Sequence, residues 1–239
     1  KRAGTKLYLI SSIFRDGQIF FRPYGGLFRS ALRAFRHIFV QNDSSRNLLK
    51  SIGIEQVSVA GDTRFDRVYE IAQQAKRLPE IERFAAEAPV FIAGSTWPPD
   101  EELLVGLIER YPDVKFIVAP HEIDPARIEK FCERISRPAL RYTQLTPQSD
   151  LAAAGVLFVD TIGILSSVYR YGRWGYIGGG FGAGIHNTLE AATFGLPLAF
   201  GPRYGKFREA RDLVTLRGAA SIASAEELER WFAGLHDDP

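Results

Sequence analysis

The chain has 239 residues, of which 46% are hydrophobic, and this is enough for one large or two smaller packed domains. Its single cysteine, Cys132, excludes an internal disulfide framework, and no apolar run is long enough for a transmembrane helix. The sequence contains no methionine and no signal-peptide pattern, so we expect a processed chain or a piece of a longer one.

The net charge of +2 conceals an asymmetry along the chain. Residues 1–60 hold ten Lys and Arg against three Asp and Glu, whereas the remainder holds 20 against 25. A basic segment followed by an acidic one predicts two units with different partners. The overall charge near zero argues against a protein that binds nucleic acid.

The first unit is predicted to alternate strands and helices, a pattern typical of parallel α/β domains. Strands are predicted at 6–11, 37–41 and 57–60, and helices at 25–35 and after a cap by Asn42 or Asp43. These elements make too few βα units for a whole sheet, so we expect the tail of a domain that starts upstream.

The helix predicted at 25–35 has two different sides. Phe28 and Leu32 belong to its apolar stripe, while Arg29, Arg33 and Arg36 line the other side. Three interpretations stay open for the arginines: a solvated surface, a site facing an anionic membrane, and a site for single-stranded nucleic acid.

The second unit is a more regular βα series. Strands are predicted at 90–93, 115–119, 139–142, 156–159, 174–177, 197–200 and 219–222, and helices near 100–111, 125–135, 163–171, 185–195, 206–216 and 225–235. Polar or glycine-containing loops follow five of the strands, at 94–96, 120–122, 160–163, 178–184 and 201–206. In an open parallel sheet these loops share one edge, where ligands bind.

The richest of these loops has Gly at 178, 179, 180, 182 and 184. A glycine loop that leads into a helix at 185–195 would present free backbone N–H groups to an anion, most often a phosphate. His186 and Glu190 would share one face of that helix, with Glu190 placed to accept hydrogen bonds from a ribose. The alternative is a tight turn that needs positive φ.

Other phosphate and metal motifs are excluded. The strand after the glycine loop ends in Gly201-Pro202 rather than in the acidic residue of a dinucleotide fingerprint. No Walker lysine motif is present, and the four histidines lack a repeated ligand spacing. We therefore predict a nucleotide or phosphate site without a metal.

Several motifs together resemble those of the 3-deoxy-D-manno-octulosonic acid (Kdo) transferases, in the style of Bacteroidetes-like members. The donor-site signature is similar at 186–197 and 200–202, with further similarity at Gly94-Ser-Thr-Trp97, Pro120-His121 and Asp160-Thr-Ile-Gly163. In the first unit, Ile13-Phe-Arg15, Gln18-Ile-Phe-Phe21 and 61–68 are similar too. The resemblance covers about residues 8–235, in the right order.

The resemblance implies an α/β glycosyltransferase of the two-Rossmann GT-B type. Residues 1–62 would end the N-terminal acceptor domain, and 63–239 would form the C-terminal donor-binding domain. Such enzymes move Kdo from CMP-Kdo to the lipid A precursor (lipid IVA) at the cytoplasmic face of the bacterial inner membrane, without metal or cofactor. The membrane anchor and catalytic carboxylate would lie upstream, so we assign no base in this chain and expect it to be inactive alone.

The resemblance also assigns the donor site. Pro120 and His121 would line the cytosine and ribose, and the backbone of Ile162, Gly163 and Ile164 would contact the nucleotide. Many relatives have Glu where Ile164 stands, so only a backbone role carries over there. The ribose and phosphate would be held by a run at the helix start: Asn187, Thr188, Leu189 and Glu190. Possible further contacts to donor or acceptor are Ser95, Thr96, Gly180, Gly182, His186, Arg203 and Lys206.

Simpler structural roles and other functions stay open. Ser95 and Thr96 would otherwise cap the helix near Pro99, Asp160 would cap the helix after Gly163, and His121 would be a satisfied residue at a strand end. Arg203 and Lys206 would pair with the Kdo carboxylate or the phosphate, or be surface charges. The alternative functions are a GT-B enzyme that uses a UDP-sugar, either a transferase or a 2-epimerase, and a non-catalytic nucleotide-binding module.

Overall fold

The computed structural model describes residues 4–86 and 88–237. These residues form two compact units that divide between Arg67 and Val68, five residues beyond the boundary expected from the sequence. The division lies inside helix α3 (Thr63–Gln73). Across the described residues, no helix has the length and apolar character needed to cross a bilayer.

The first unit is a three-stranded parallel sheet in the order β1-β2-β3. Its elements are β1 (Tyr8–Ser12), α1 (Gly26–Leu32), β2 (His37–Val40), α2 (Asp43–Ser51) and β3 (Val57–Val59). The core is apolar and includes Leu32, Ile38 and Leu49, all buried. Asn42 caps α2 by accepting a hydrogen bond from the amide of Ser45, as its residue type predicts.

The arginines of the helix predicted at 25–35 are partly used inside the unit, although α1 itself ends at Leu32. The Arg29 guanidinium donates to the carbonyls of Phe20 and Arg22 at 3.1 and 3.0 Å, and Arg33 donates to the carbonyl of Ile52. Phe28, expected in the apolar stripe, is 42% exposed. Arg29 therefore holds the aromatic loop before α1, and the membrane-facing interpretation stays a prediction.

The second unit contains seven strands and their connecting helices. They are α4 (Pro79–Ala85), β4 (Val90–Thr96), α5 (Pro98–Arg110), β5 (Lys115–Pro120), α6 (Pro125–Cys132), β6 (Ala139–Arg141), β7 (Val156–Phe158), α7 (Leu165–Val168), β8 (Trp174–Ile177), α8 (Leu189–Ala192), β9 (Leu198–Phe200), α9 (Arg208–Thr215), β10 (Ala219–Ser221) and α10 (Ala225–His236).

All seven strands are parallel, in the order β10-β9-β8-β4-β5-β7-β6. Alternate residues enter two separate apolar cores, so Ile92 lies in one and Phe91 in the other. Helices therefore cover both faces, as in doubly wound α/β folds. Because the chain runs outward from β4 through β5 and later returns to β8 on the other side of β4, the topology switches direction beside β4.

The helix predicted at 185–195 is wrong in its first half, because α8 begins only at Leu189. The chain from 185 to 187 closes the glycine loop instead: the His186 amide donates to the Gly178 carbonyl at 3.1 Å, and Ile185 is buried in the core. His186 therefore lies outside the helix and does not share a helical face with Glu190.

Candidate functional site

The loops after β4, β5, β8 and β9 meet at the carboxyl edge of the second unit's sheet. The Gly94 carbonyl accepts from the Gly178 amide at 2.9 Å, and the Thr96 carbonyl accepts from the His121 amide at 2.9 Å. The Gly180 carbonyl accepts from the Arg203 amide at 3.0 Å. The edge predicted from the strand pattern is therefore confirmed, and it lies at the topological switch beside β4.

Close packing between these loops requires two of the glycines. A Cβ atom on Gly178 would lie 2.2 Å from the Ser95 carbonyl oxygen, and one on Gly180 would lie 2.6 Å from the Cα of Gly201. Both contacts are with backbone, which cannot move aside as a flexible side chain can. An anion cradle is the role expected for these glycines. The structure gives Gly178 and Gly180 a different one, which is to let neighbouring loops approach closely.

Several amides of the glycine loop donate hydrogen bonds to other groups of the protein. The amides of Gly182 and Gly184 donate to the Gly179 carbonyl at 3.0 and 3.2 Å, and the Gly179 amide donates to Asp100 Oδ2 at 2.9 Å. At the helix start, the Leu189 amide donates to Asn187 Oδ1 at 3.0 Å. The prediction of an open row of N–H groups leading into a helix is therefore wrong for these amides.

Asp100 is a central residue of this edge that the sequence did not reveal. Its side chain is 1% exposed and accepts three hydrogen bonds: from the Trp97 and Gly179 amides at 2.9 Å each, and from the Tyr176 hydroxyl at 2.6 Å. Burial, with the Asp100 carboxylate beside it, raises the pKa of Tyr176, which keeps the phenol a donor. From the sequence, the Pro-Pro-Asp start of the helix predicts only the local bond between Asp100 and the Trp97 amide.

Three rings from different loops stack beside Asp100. Trp97 Nε1 donates to His186 Nε2 at 3.0 Å, and the planes of the two rings are nearly parallel, at 9°. The His121 ring stacks on both, with centroids 4.2 Å from His186 and 4.7 Å from Trp97. Since an indole N–H can only donate, His186 Nε2 must carry a lone pair, and the proton of the neutral ring lies on Nδ1.

The surroundings favour this neutral ring. Burial lowers the pKa of His186, and the neighbouring His121 lowers it further, while Asp100 acts in the opposite direction. His121 is exposed and His186 half-buried. The structure thus brings together two predicted site residues that are 65 positions apart in the chain, and adds Trp97 to them.

A cavity of about 350 Å³ lies against this edge. The glycine loop forms one wall, and Trp97, Pro99, Phe181 and His186 contribute rings. Gly182, one of the predicted contacts, also lines it, while Gly180 lies buried behind the loop. The lining is largely apolar with Asp100 as its carboxylate, which suits uncharged groups better than phosphate.

The run predicted to hold ribose and phosphate lies at the start of α8. Asn187 is exposed, and its Nδ2 donates to Glu190 Oε1 at 2.9 Å. Thr188 is 1% exposed, and within residues 4–86 and 88–237 its Oγ1 has no hydrogen-bond partner. Leu189 is 5% exposed, so its contribution to a ligand is limited to its backbone. Asn187 and Glu190 are thus brought together, and the Thr188 hydroxyl lacks a partner.

Trp97 occupies the N-cap position of α5, so Ser95 and Thr96 do not cap this helix. The Thr96 hydroxyl instead donates to Glu101 Oε1 at 3.1 Å, and Glu101 pairs with Arg127 at 3.6 Å. Burial raises the pKa of Glu101, and Arg127 and Thr96 oppose this. Ser95 has a φ of 54°, a strained value for a residue with a Cβ atom.

Asp160 belongs to another part of the edge. It is 5% exposed and accepts from the Thr143 amide at 2.9 Å, the Thr143 hydroxyl at 2.6 Å and Arg141 Nε at 2.9 Å. Although burial acts the other way, these donors hold the pKa of Asp160 below its usual range. The carboxylate therefore anchors the segment after β6; the structure gives it these partners rather than the helix after Gly163.

The remaining predicted residues lie in two exposed loops and at a strand end. Pro120 is buried at the end of β5, Ile162 is 89% exposed, Gly163 has a φ of 89°, and Ile164 packs on the core. Arg203 Nη1 donates to the Gly182 carbonyl at 2.6 Å, which ties this cation to the glycine loop, and Lys206 is exposed. Among the described residues no group of three or more His, Cys, Asp or Glu could hold a metal ion.

Sequence comparisons extend over both units. Residues 1–67 match the family model described as 3-deoxy-D-manno-octulosonic-acid transferase (kdotransferase). The chain is 26% identical over 219 residues to a 3-deoxy-D-manno-octulosonic acid transferase from Rickettsia bellii, covering 89% of this chain and 51% of that protein. A transferase of the same name from Aquifex aeolicus is 25% identical, with 78% and 50% covered. The chain spans about half the length of these relatives.

Structural comparison gives similar folds. The C-terminal CMP-Kdo binding domain of WaaA from Acinetobacter baumannii matches with a TM-score of 0.57 and 22% identity, over 72% of this chain and 91% of that one. A candidate UDP-N-acetylglucosamine 2-epimerase from Listeria monocytogenes matches with a TM-score of 0.65 and 12% identity, over 99% and 61%. At these identities the matches show the fold alone.

The parallel sheet with its ligand edge and these structural neighbours define an α/β protein with the fold of the GT-B glycosyltransferases. Within that class, the sequence matches to both units confirm the resemblance, and the chain is a relative of the Kdo transferases.

Proposed function

We propose that this chain is the donor-binding part of a glycosyltransferase that moves Kdo from CMP-Kdo to the lipid A precursor, lipid IVA. The observation that carries the proposal is the sequence similarity to Kdo transferases over 89% of the chain. The gathering of the motif loops at one edge of the sheet supports it, because ligands of such sheets bind at this place. The proposed acceptor implies work at the cytoplasmic face of the inner membrane.

The start of α8 is the proposed ribose and phosphate site. The Thr188 hydroxyl is buried and lacks a partner among the described residues, and such a group costs about 1–3 kcal/mol unless a ligand or water satisfies it. The Asn187 amide holds the Glu190 carboxylate in place, so that its free lone pairs can accept from ribose hydroxyls. Pro120 and His121 would then lie on the cytosine side, and the backbone of 162–164 beside the nucleotide.

The chemistry requires stabilisation of the leaving phosphate. Cleavage of CMP-Kdo leaves negative charge on the CMP phosphate and positive, oxocarbenium-like character on the sugar. Because Gly179, Gly182 and Gly184 use their amides within the protein, we propose that Arg203 and Lys206 supply part of the stabilising charge. A guanidinium has five N–H donors, and the bond to Gly182 uses one of them, which orients the rest. The catalytic base is not assigned to a residue of this chain, and independence from metal stays part of the proposal.

A UDP-sugar enzyme is the second candidate. The observation in its favour is the TM-score of 0.65 to the candidate UDP-N-acetylglucosamine 2-epimerase, higher than the 0.57 to the WaaA domain. That likeness concerns the fold, whereas the sequence similarity is to Kdo transferases. A nucleotide-binding module without catalysis is a third candidate.

Calorimetric titration of the chain with CMP and, separately, with UDP tests the proposal. We expect CMP to bind at least about tenfold more tightly, a difference of about 1.4 kcal/mol. Tighter binding of UDP would contradict a CMP-sugar donor and favour the second candidate.

A transfer assay with CMP-Kdo and lipid IVA separates the enzyme from the binding module. We expect a protein that contains the whole length of the relatives to transfer Kdo, and the 239-residue chain to bind CMP without turnover. Turnover by this chain would place the base within it, and CMP binding without transfer by the longer protein would favour the module.

A further inference from the structure

The contacts of Asp100 reach well beyond the first turn of α5, in which it lies. Its carboxylate joins the amide of Trp97, three residues before it, to the Gly179 amide and the Tyr176 hydroxyl, 79 and 76 residues along the chain. By comparison, the helix caps at Asp124 and Ser224 bond amides two or three residues away. Capping of α5 therefore accounts for one of the three bonds of Asp100.

A buried carboxylate with these partners is under strong constraint. At 1% exposure, the charge of Asp100 must be compensated by its donors and by the start of α5. Tyr176 is itself fully buried, so its hydroxyl depends on Asp100 as much as Asp100 depends on it. Loss of the carboxylate would leave two buried donors and one partly buried donor without their acceptor.

The two amides that Asp100 binds belong to residues that bond the glycine loop at two places. Gly179 binds Asp100 through its amide, and its carbonyl accepts from Gly182 and Gly184. Trp97 binds Asp100 through its amide, and its indole N–H donates to His186 at the exit of the loop. Through these bonds one side chain sets both the entry and the exit of the loop that leads directly into 187–190.

We propose that Asp100 is a positioning residue, which fixes the glycine loop and Trp97 so that the start of α8 is ready to bind the nucleotide. It acts through the loop and does not itself touch the nucleotide. The proposal rests on the proposed function in that CMP is the ligand concerned, whereas the positioning of the loop is a property of the protein without ligand.

The test compares four variants of the full chain with the wild type. Asp100→Ala removes all three acceptor contacts. Asp100→Asn keeps an oxygen for the two amides and turns its NH₂ toward the Tyr176 oxygen, which can accept. Tyr176→Phe removes one link, and Ser224→Ala, the matched control, removes the cap of α10, which follows the edge strand β10. Amide hydrogen exchange of residues 178–186 and CMP titration are measured on each variant.

We expect Asp100→Ala to speed exchange of residues 178–186 and to weaken CMP binding, each by at least about tenfold. Asp100→Asn should stay within about threefold of the wild type in both measurements, because hydrogen bonding rather than charge does the positioning. Ser224→Ala should change neither. Should Asp100→Ala fail to fold, Tyr176→Phe decides, with faster exchange confined to residues 178–186 expected.

Unchanged exchange of residues 178–186 in Asp100→Ala, or in Tyr176→Phe if only that variant folds, would overturn the proposal. So would equal damage from Asp100→Asn and Asp100→Ala, or faster exchange spread over the whole sheet, which a merely structural role predicts. A wild-type protein that fails to bind CMP would contradict the proposed donor, and the exchange data would then still decide the role of Asp100.

Discussion

Glu190 is the proposed ribose ligand on α8, and its side chain is half-buried with the Asn187 amide as partner. We predict that Glu190→Ala weakens CMP binding at least about tenfold, or about 1.4 kcal/mol, because the carboxylate would lose its bonds to the ribose hydroxyls. Titration calorimetry measures the change, with Glu129→Ala, at an exposed position of α6, as the control. Equal affinity of Glu190→Ala and the wild type would remove Glu190 from the site.

His186 makes a second prediction possible at this scale. Burial and the neighbouring His121 lower the pKa of His186 in the folded protein. The neutral ring is therefore favoured more strongly in the folded protein than in the unfolded chain. The stability that it contributes is present above its unfolded pKa of about 6.5 and is lost as the pH falls through the lower folded pKa. Protonation also places a proton on Nε2, which breaks the bond from Trp97.

We therefore expect the free energy of unfolding in urea to fall more from about pH 8 to about pH 5 in the wild type than in His186→Gln. Glutamine does not titrate but keeps an oxygen that can accept from Trp97, and every other residue is common to both proteins. Parallel losses in the two proteins would show that His186 does not titrate in this way.

At the scale of elements, the glycine loop offers a matched pair of substitutions. A Cβ atom at Gly180 would lie 2.6 Å from the Gly201 backbone, whereas one at Gly182 would meet its nearest atom at 3.6 Å, an ordinary contact. We predict that Gly180→Ala lowers the free energy of unfolding by about 1–3 kcal/mol through overpacking, and that Gly182→Ala changes it by less than about 0.5 kcal/mol. Urea unfolding of both variants checks this, and equal effects would contradict it.

Asp160 anchors a second element, the segment after β6. Asp160→Ala would leave the Thr143 amide, the Thr143 hydroxyl and Arg141 without their acceptor. Since bonds to a charged group contribute about 1.5–3 kcal/mol, we predict a loss of that order in the free energy of unfolding at neutral pH. Asp150→Ala, at an exposed turn, serves as the control and should cost less than about 1 kcal/mol. A loss no larger than that of the control would contradict the anchoring role.

The same loops show where sequence reasoning succeeded and where it could not. Strands such as Trp174–Ile177 are short, buried apolar runs, and such runs can be recognised in the sequence without knowledge of the fold. The incorrect helix prediction at 185–195 came from Ile185 and Leu189, which have helical spacing although Ile185 enters the core from a loop. The spacing of apolar residues indicates which positions are buried. It does not reveal the backbone hydrogen bond from His186 to Gly178 that prevents a helix at this position.

The candidate site divides in the same manner. Pro120-His121 and 187–190 carry local motifs, so the amino-acid sequence alone is enough to single them out. Asp100 carries no such motif, because two of its three bonds join residues more than 70 positions away. The pairing of Trp97 with His186 had a weaker signal, since both follow parallel strands whose carboxyl ends share an edge. Long-range hydrogen bonds are thus the part of the site that the sequence conceals.

At the scale of the whole molecule, every proposed donor contact lies in the second unit, which has its own seven-stranded sheet and two cores. A sheet covered on both faces is typical of a domain that folds independently. We therefore predict that a chain beginning at Thr63, so that α3 stays whole, folds cooperatively and binds CMP within about threefold of the 239-residue chain.

Urea unfolding followed by circular dichroism measures the folding of the shorter chain, and titration calorimetry measures its affinity for CMP. The separate first unit, whose described residues form three strands, is the comparison and should bind no CMP. A loss of CMP affinity greater than about tenfold in a shorter chain that still unfolds cooperatively would mean that the first unit supplies ligand contacts. In that event the donor site would extend beyond the carboxyl edge of the seven-stranded sheet, and Thr188 and Glu190 would form only part of it.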